Sequence, residues 1–128
     1  MYTIVVGVDT DVERARTQAE AIVNLPGGEE ISAILVHVFD SEDGDVESVD
    51  AVVEARAILE AAGIEVTTEG IGGDTGMAIL DTAARRDADC LCVAGRKRSP
   101  TGKALFGSVT QDVIMGAERP TLVCSTEE

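Results

Sequence analysis

The chain has 128 residues, with 24 acidic and 10 basic side chains and a formal net charge of −14. A net charge of −14 argues against a nucleic-acid-binding surface, because a nucleic-acid backbone requires basic patches larger than one loop. Its apolar runs are too short to cross a membrane, and the start MYTIVVGVD has no basic segment typical of a signal peptide. The sequence therefore predicts a single cytoplasmic domain over residues 1–128.

Five apolar runs alternate with four amphipathic segments along the chain. The predicted strands are residues 3–8, 31–39, 64–70, 90–94 and 121–125. Apolar residues recur at helical spacing from Val12 to Ile22, Val49 to Ala62, Gly76 to Ala83, and Val109 to Ala117. This alternation predicts an α/β fold, a single doubly wound five-stranded parallel sheet (flavodoxin-like or Rossmann-like) with strand order 3-2-1-4-5 and helices on both faces. The third run alternates apolar and polar residues, which predicts an edge strand.

Asp9 follows the first strand, at the switch point where doubly wound sheets bind ligands. Its carboxylate could accept hydrogen bonds from an amino group or a sugar hydroxyl. The alternative is a plain turn into the first helix, because Thr10 and Glu13 have the spacing of a capping box. His37 lies in the middle of the second strand and is predicted to be a core histidine.

Two loops and the cysteines have structural interpretations. The acidic segment SEDGDVESVD, residues 41–50, is predicted to be a solvated loop before the second helix. The segment GGDTG, residues 72–76, is predicted to be a turn in which Asp74 caps the third helix. Cys90, Cys92 and Cys124 lie in apolar runs with C-x-C rather than C-x-x-C spacing, which indicates buried, unreactive thiols and no metal site.

The segment GRKRSPTGKALFGS, residues 95–108, holds four basic residues inside an acid-free window that runs from residue 90 to residue 111. It leads into the fourth helix, where Ser108 and Gln111 have capping-box spacing and the free N–H groups of the helix start favour an anion. The sequence predicts a phosphate site here, formed by Gly95, Arg96, Lys97, Arg98, Gly102, Lys103, Gly107 and Ser108. The alternative is a surface loop with an ordinary helix cap. The segment is not a Walker A loop, because Ala104 stands where such a loop has Ser or Thr.

Taken together, these residues resemble the universal stress protein family, whose phosphate-loop signature is G-x2-G-x9-G-[ST] after an apolar fourth strand. Gly95, Gly107 and Ser108 match this signature. Supporting pieces are VGVDTD, LVHVFD, GGDTGMAILDTAARRDADCLCVAG and RPTLVCS, in order along nearly the whole chain. Arg98 departs from the signature because it occupies the second glycine position, and only eight residues separate it from Gly107. A guanidinium there can still bind phosphate.

The resemblance implies ATP binding, or ADP or AMP binding, with Mg bound through the phosphates. In nucleotide-binding relatives, the residues that match Asp9 and the backbone around Val8 and Val38 hold the adenosine. The residues that match Gly95, Arg98, Gly107, Ser108, Val109 and Thr110 surround the ribose and phosphates. The family also has members that bind no nucleotide, so the alternative is a protein-interaction module.

The resemblance further implies a homodimer through the last strand, residues 121–125, which would otherwise be an exposed apolar edge. A regulatory module of this kind implies a downstream protein partner. No catalytic constellation is present, so we expect weak ATP hydrolysis at most. A flavodoxin-like electron carrier is disfavoured by the low aromatic content. The acid excess and the scarcity of lysine, with only two against eight arginines, favour a halophilic, archaeal source.

Overall fold

A computed structural model describes residues 1–39, 44–95 and 107–125 of the chain. Five strands form one parallel sheet: β1 (Tyr2–Gly7), β2 (Ile31–Phe39), β3 (Glu65–Gly72), β4 (Cys90–Gly95) and β5 (Thr121–Ser125). Four helices connect them: α1 (Val12–Val23), α2 (Asp50–Ala61), α3 (Thr75–Arg85) and α4 (Ser108–Gly116). The strand order β3-β2-β1-β4-β5 confirms the predicted doubly wound topology and the position of the third strand at an edge.

Two apolar clusters cover the two faces of the sheet. Strand residues alternate between the faces, so Ile4 and Val6 of β1 join α1 and α2, whereas Val5 joins α3 and α4. Leu35 and Leu59 are completely buried in the first cluster, and Leu91 is completely buried in the second. None of the helices among the described residues is long and apolar enough to cross a membrane.

The caps of α1 and α3 test the sequence interpretation. The Asp74 side chain accepts a hydrogen bond from the Met77 N–H at the start of α3, which confirms the predicted cap. The capping box of Thr10 and Glu13, considered as an alternative for the start of α1, does not form: Asp11 has extended backbone and caps the helix by accepting from the Arg14 N–H, whereas Glu13 pairs with Arg16. A carboxylate one residue nearer the helix displaces the threonine hydroxyl as the acceptor.

The prediction for the acidic segment 41–50 is only partly right. Residues 40–43 lie outside the described residues. Downstream, Asp45 begins a short 3₁₀ turn, Val46–Ser48, by accepting from the Glu47 N–H. Glu47 then binds Arg56 of α2 at 2.9 Å, so this part of the segment packs on the second helix rather than being only a solvated loop.

An ion-pair cluster ties α3 to the edge strand β3. Glu69 accepts from Arg85 at 2.9 Å and pairs with Arg86 at 2.7 Å, and its side chain is only 17 % exposed. Burial alone would raise the pKa of Glu69, but the hydrogen bonds from both arginines lower it below its usual value. The cluster therefore favours the folded state whenever Glu69 is ionised.

Candidate functional site

A crevice opens at the switch point of the sheet, where β1 and β4 separate. Their ladder ends at the pair Val6 and Cys92, although β4 continues to Gly95. A cavity of about 560 Å³ lies above this point, and its walls come from the carboxyl ends of β1, β2 and β4 and the starts of α1, α3 and α4. That volume falls within the range of small-molecule sites.

Side chains satisfy three main-chain carbonyl groups at the rim where the ladders end. Gln18 Nε2 donates to the Gly7 oxygen at 2.9 Å, and Thr110 Oγ1 donates to the Ala94 oxygen at 2.7 Å. His37 Nδ1 lies 2.8 Å from the Val8 oxygen. Because a carbonyl only accepts, Nδ1 carries the proton in this contact. The separated strand ends thus keep hydrogen-bond partners while the crevice stays open.

Gln18 occupies the foot of the crevice, on the buried side of α1. Its side chain is 1 % exposed, and its Nε2 also lies 3.5 Å from the Cys92 oxygen, so the carboxamide bridges the diverging ends of β1 and β4. Its Oε1 is buried and has no hydrogen-bond partner in the part of the chain that the structure describes. Sequence reasoning missed this residue. A glutamine within the apolar face of α1 was the available signal.

Asp9 is held at the cavity wall by two neighbours. Its Oδ1 accepts from the Asp11 N–H at 2.8 Å, and its Oδ2 accepts from Arg14 Nε at 2.7 Å. The side chain remains 48 % exposed. A carboxylate has about four acceptor positions, so two of them stay open to a ligand.

The start of α4 faces the cavity from the opposite side of the crevice. Gly107 is its N-cap, with extended backbone, and no side chain among the described residues caps the helix. The predicted capping box of Ser108 and Gln111 is therefore wrong. Ser108 is the first helical residue, from which a side chain does not reach forward, and the Gln111 N–H bonds to the Gly107 oxygen. Among the described residues, the first N–H groups of α4 have no side-chain partner, and such groups at a helix start favour an anion.

His37 is 7 % exposed, which confirms the predicted core histidine, but it also lines the cavity. Its ring packs edge-to-face on Phe39, with 4.7 Å between the ring centroids. Gly70 on the neighbouring strand leaves room for this pair, because a Cβ there would lie 2.8 Å from the Phe39 ring. This wall of the cavity is thus built from two rings packed against each other.

The structure brings seven of the predicted binding residues to this cavity: Val8, Asp9, Val38, Gly107, Ser108, Val109 and Thr110. Gly95 is buried at the end of β4 and does not line it. The predictions for Arg96, Lys97, Arg98, Gly102 and Lys103 lie outside the described residues.

The main-chain N–H and carbonyl groups of Val8 and Val38 differ in whether they are free to bind a ligand. The Val8 N–H donates to the Val36 oxygen at 2.9 Å and its carbonyl contacts His37, so both groups are engaged. Strand residues alternate, and Val36 directs its carbonyl towards β1. Val38 therefore also directs its N–H and carbonyl towards that side, at the level where β1 has ended. These two groups are suited to contact a ligand.

Arg14 and Thr75 also line the cavity, and sequence reasoning did not find them. Thr75 begins α3, directly after the capping residue of the GGDTG turn. The carboxyl ends of all parallel strands meet at one edge of the sheet, so the residue after that turn was the available signal. For Arg14, the available signal was a basic residue within the first turn of a helix, next to the acidic residues with which that helix begins.

The cysteines and the acidic residues form no metal site among the described residues. All three cysteines are free and buried, as predicted. The Cys92 and Cys124 sulfurs lie 3.7 Å apart, and this hydrogen bond together with burial raises the pKa of Cys92. Burial also raises the pKa of Cys90. A buried thiol that stays protonated is a poor nucleophile and metal ligand.

Three solved structures share this fold over more than nine tenths of their own length. A universal stress protein from Archaeoglobus fulgidus is 28 % identical, with a TM-score of 0.74 over 97 % of this chain and 98 % of that one. The Archaeoglobus fulgidus universal stress protein in complex with dAMP is 23 % identical, with a TM-score of 0.77 over 97 % and 98 %. An Arabidopsis thaliana family member with AMP bound is 16 % identical, with a TM-score of 0.74 over 98 % and 92 %.

Among curated proteins, none matches this chain. The family model described as the universal stress protein family matches residues 1–125. The match includes β1 with Asp9, the whole sheet, and α4 with its uncapped start. The chain therefore belongs to the universal stress protein family.

Proposed function

We propose that the protein is a regulatory module that binds an adenine nucleotide (ATP, ADP or AMP) in the crevice between β1 and β4. One observation carries the proposal: the start of α4, which no side chain in the described part of the chain caps, opens onto a cavity whose opposite wall holds Asp9. The helix start supplies free donors and a partial positive charge. Asp9 supplies acceptors. A nucleotide, with donors at its nucleoside end and acceptors at its phosphate end, matches this polarity.

At the nucleoside end, the main-chain N–H and carbonyl of Val38 can pair with the edge of the base. Asp9 can accept from an amino group or a ribose hydroxyl through its open positions. His37 and Phe39 form the adjoining wall. The AMP and dAMP complexes of related proteins support an adenine nucleotide as the ligand.

At the phosphate end, Ser108, Val109 and Thr110 line the cavity and form the first turn of α4, where main-chain N–H groups have no acceptor within the helix. The sequence adds Arg96, Lys97, Arg98 and Lys103 in the preceding segment, with Gly95, Gly102 and Gly107 as its glycines. Cations beside phosphates form strong, charge-assisted hydrogen bonds. Magnesium, if required, would be bound through the phosphates, and ATP turnover would be weak at most.

We further propose that the protein acts as a homodimer through β5, in the cytoplasm, and passes its ligand state to a downstream protein. The Leu91 N–H bonds to the Pro120 oxygen, so strand alternation directs the main-chain groups of Thr121, Val123 and Ser125 outward. An unpaired edge of this kind favours pairing with a second copy. The net charge of −14 supports operation in concentrated salt, in a halophilic archaeon.

The test is a calorimetric titration with AMP, ADP and magnesium-ATP in molar potassium chloride. Saturable binding near one nucleotide per chain supports the proposal. The variant Asp9→Asn should weaken binding by roughly 10- to 100-fold, the effect of one hydrogen bond to a charged group. Asp81→Asn, an exposed change on α3 that does not line the cavity, is the matched control. No binding by folded, nucleotide-free protein would instead favour the interaction module.

A further inference from the structure

Arg14 lies at a helix position that is electrostatically unfavourable for a basic residue. It lies in the first turn of α1, where the partial charge of the helix is positive. Three interactions hold it there: its N–H donates to the capping carboxylate of Asp11 at 3.0 Å, its Nε binds Asp9 at 2.7 Å, and its Nη1 lies 3.5 Å from Asp11. Its side chain is 29 % exposed and lines the cavity.

The geometry points to Arg14 as a positioning residue for the nucleotide. We propose that Arg14 fixes the Asp9 carboxylate in the orientation that accepts hydrogen bonds from the nucleoside. Arg14 thereby contributes to selectivity for ligands that carry a nucleoside over ligands that carry phosphate alone. This inference rests on the proposed function. Asp9 is half exposed, and without Arg14 the Asp11 N–H would be its one remaining partner among the described residues. Binding would then have to order that side chain, which weakens affinity.

The charges around Arg14 disfavour direct binding of a phosphate by its guanidinium. Asp9 and Asp11 together outweigh the single guanidinium, so the group keeps one net negative charge. An anionic ligand group is repelled there, whereas a neutral donor is accepted. The phosphates are therefore directed to α4, and the nucleoside to Asp9. Arg14 acts through Asp9 rather than by contact with the ligand.

Arg16 provides a matched control on the same helix. It also forms two ion pairs, with Glu13 at 2.9 Å and Glu54 at 3.2 Å, but it does not line the cavity. The comparison of Arg14→Gln with Arg16→Gln thus separates an effect on the site from the general loss of an arginine ion pair. Arg14→Lys keeps the charge and should restore part of the effect.

The first measurement uses the protein without nucleotide. Three-bond couplings of the Asp9 side chain should show one χ1 rotamer in the wild type and in Arg16→Gln, and averaged rotamers in Arg14→Gln. The same averaging in both variants, or in neither, would overturn the inference. This result does not depend on nucleotide binding, so it stands apart from a failure of the proposed function.

The second measurement is affinity for AMP and for inorganic pyrophosphate. Arg14→Gln should weaken AMP binding by roughly three- to tenfold, as expected for one side chain that must be ordered, and leave pyrophosphate binding unchanged. In an Asp9→Asn background the same change should have no further effect on AMP. An equal loss for both ligands, a gain in AMP affinity, or additive effects of the two changes would each contradict the positioning role.

Discussion

Thr110 offers the sharpest test of how the site is built. Its hydroxyl donates to the Ala94 carbonyl at 2.7 Å, and the side chain is 6 % exposed. Ala94 directs this carbonyl towards β1, past the point where the β1 and β4 ladder has ended. The Thr110 hydroxyl therefore replaces the partner that the Ala94 carbonyl would have had in the ladder. The same hydrogen bond attaches α4 to the end of β4 at the crevice.

The change Thr110→Val removes the hydroxyl and nearly preserves the shape of the side chain. It leaves the Ala94 oxygen without its partner in a partly buried place, and we expect a loss of about 1–2 kcal/mol in the free energy of unfolding. Thr110→Ser keeps the hydroxyl and should lose less. For a chain of this size, a loss of 1 kcal/mol lowers Tm by about 4 °C.

Thr82 is the control, because it is also a buried helical threonine. Its hydroxyl donates at 2.8 Å to the Ala78 oxygen, which the helix ladder of α3 already uses. Thr82→Val therefore removes this redundant bond and a long contact of 3.5 Å that Thr82 Oγ1 accepts from Arg85 Nη2, whose main partner is Glu69 at 2.9 Å. It should change the unfolding free energy by less than about 0.5 kcal/mol. Urea unfolding at constant potassium chloride gives both values. Equal values for the two valine variants would refute the role assigned to Thr110.

Two further predictions concern acid stability and the dimer. Because the pKa of Glu69 is lowered in the folded state, its ionised carboxylate stabilises the fold at neutral pH, and this stabilisation is lost as the pH falls through the lowered pKa. Glu69→Gln should therefore have a free energy of unfolding that is smaller by on the order of 1 kcal/mol at pH 7. Urea unfolding from pH 7 to pH 3 should show this difference shrinking below about pH 4.5, and a constant difference would argue against the ion pair. For the dimer, sedimentation should give twice the 13.3 kDa chain mass, and Val123→Pro, which removes an outward N–H, should give a folded monomer. A monomeric wild type would contradict pairing through β5.

The sequence predicted the fold well because the fold follows from a repeated pattern. Apolar runs of strand length and helical spacing recur five and four times, so an error at one boundary does not change the topology. The misplaced caps illustrate what local spacing leaves undetermined. Thr10 and Asp11 are both capping residues, and only the backbone conformation shows that Asp11 occupies the cap.

The polar groups of the site were harder to predict because their partners are distant in sequence. Gln18 and Cys92 are 74 residues apart, and His37 and Val8 are 29 apart, yet each pair meets at the sheet edge. Composition and spacing identify which strand ends meet, but not which carbonyl groups lose their ladder partners. That depends on the residue at which β1 and β4 separate.

The crevice itself follows from this separation. An open switch point leaves main-chain carbonyl groups without strand partners, and their burial would be unfavourable unless side chains replace the ladder. Gln18, His37 and Thr110 supply those replacements from α1, β2 and α4. Each also fixes an element of the cavity wall in position. The same hydrogen bonds that make an open crevice stable therefore hold the proposed nucleotide site in shape before any ligand binds.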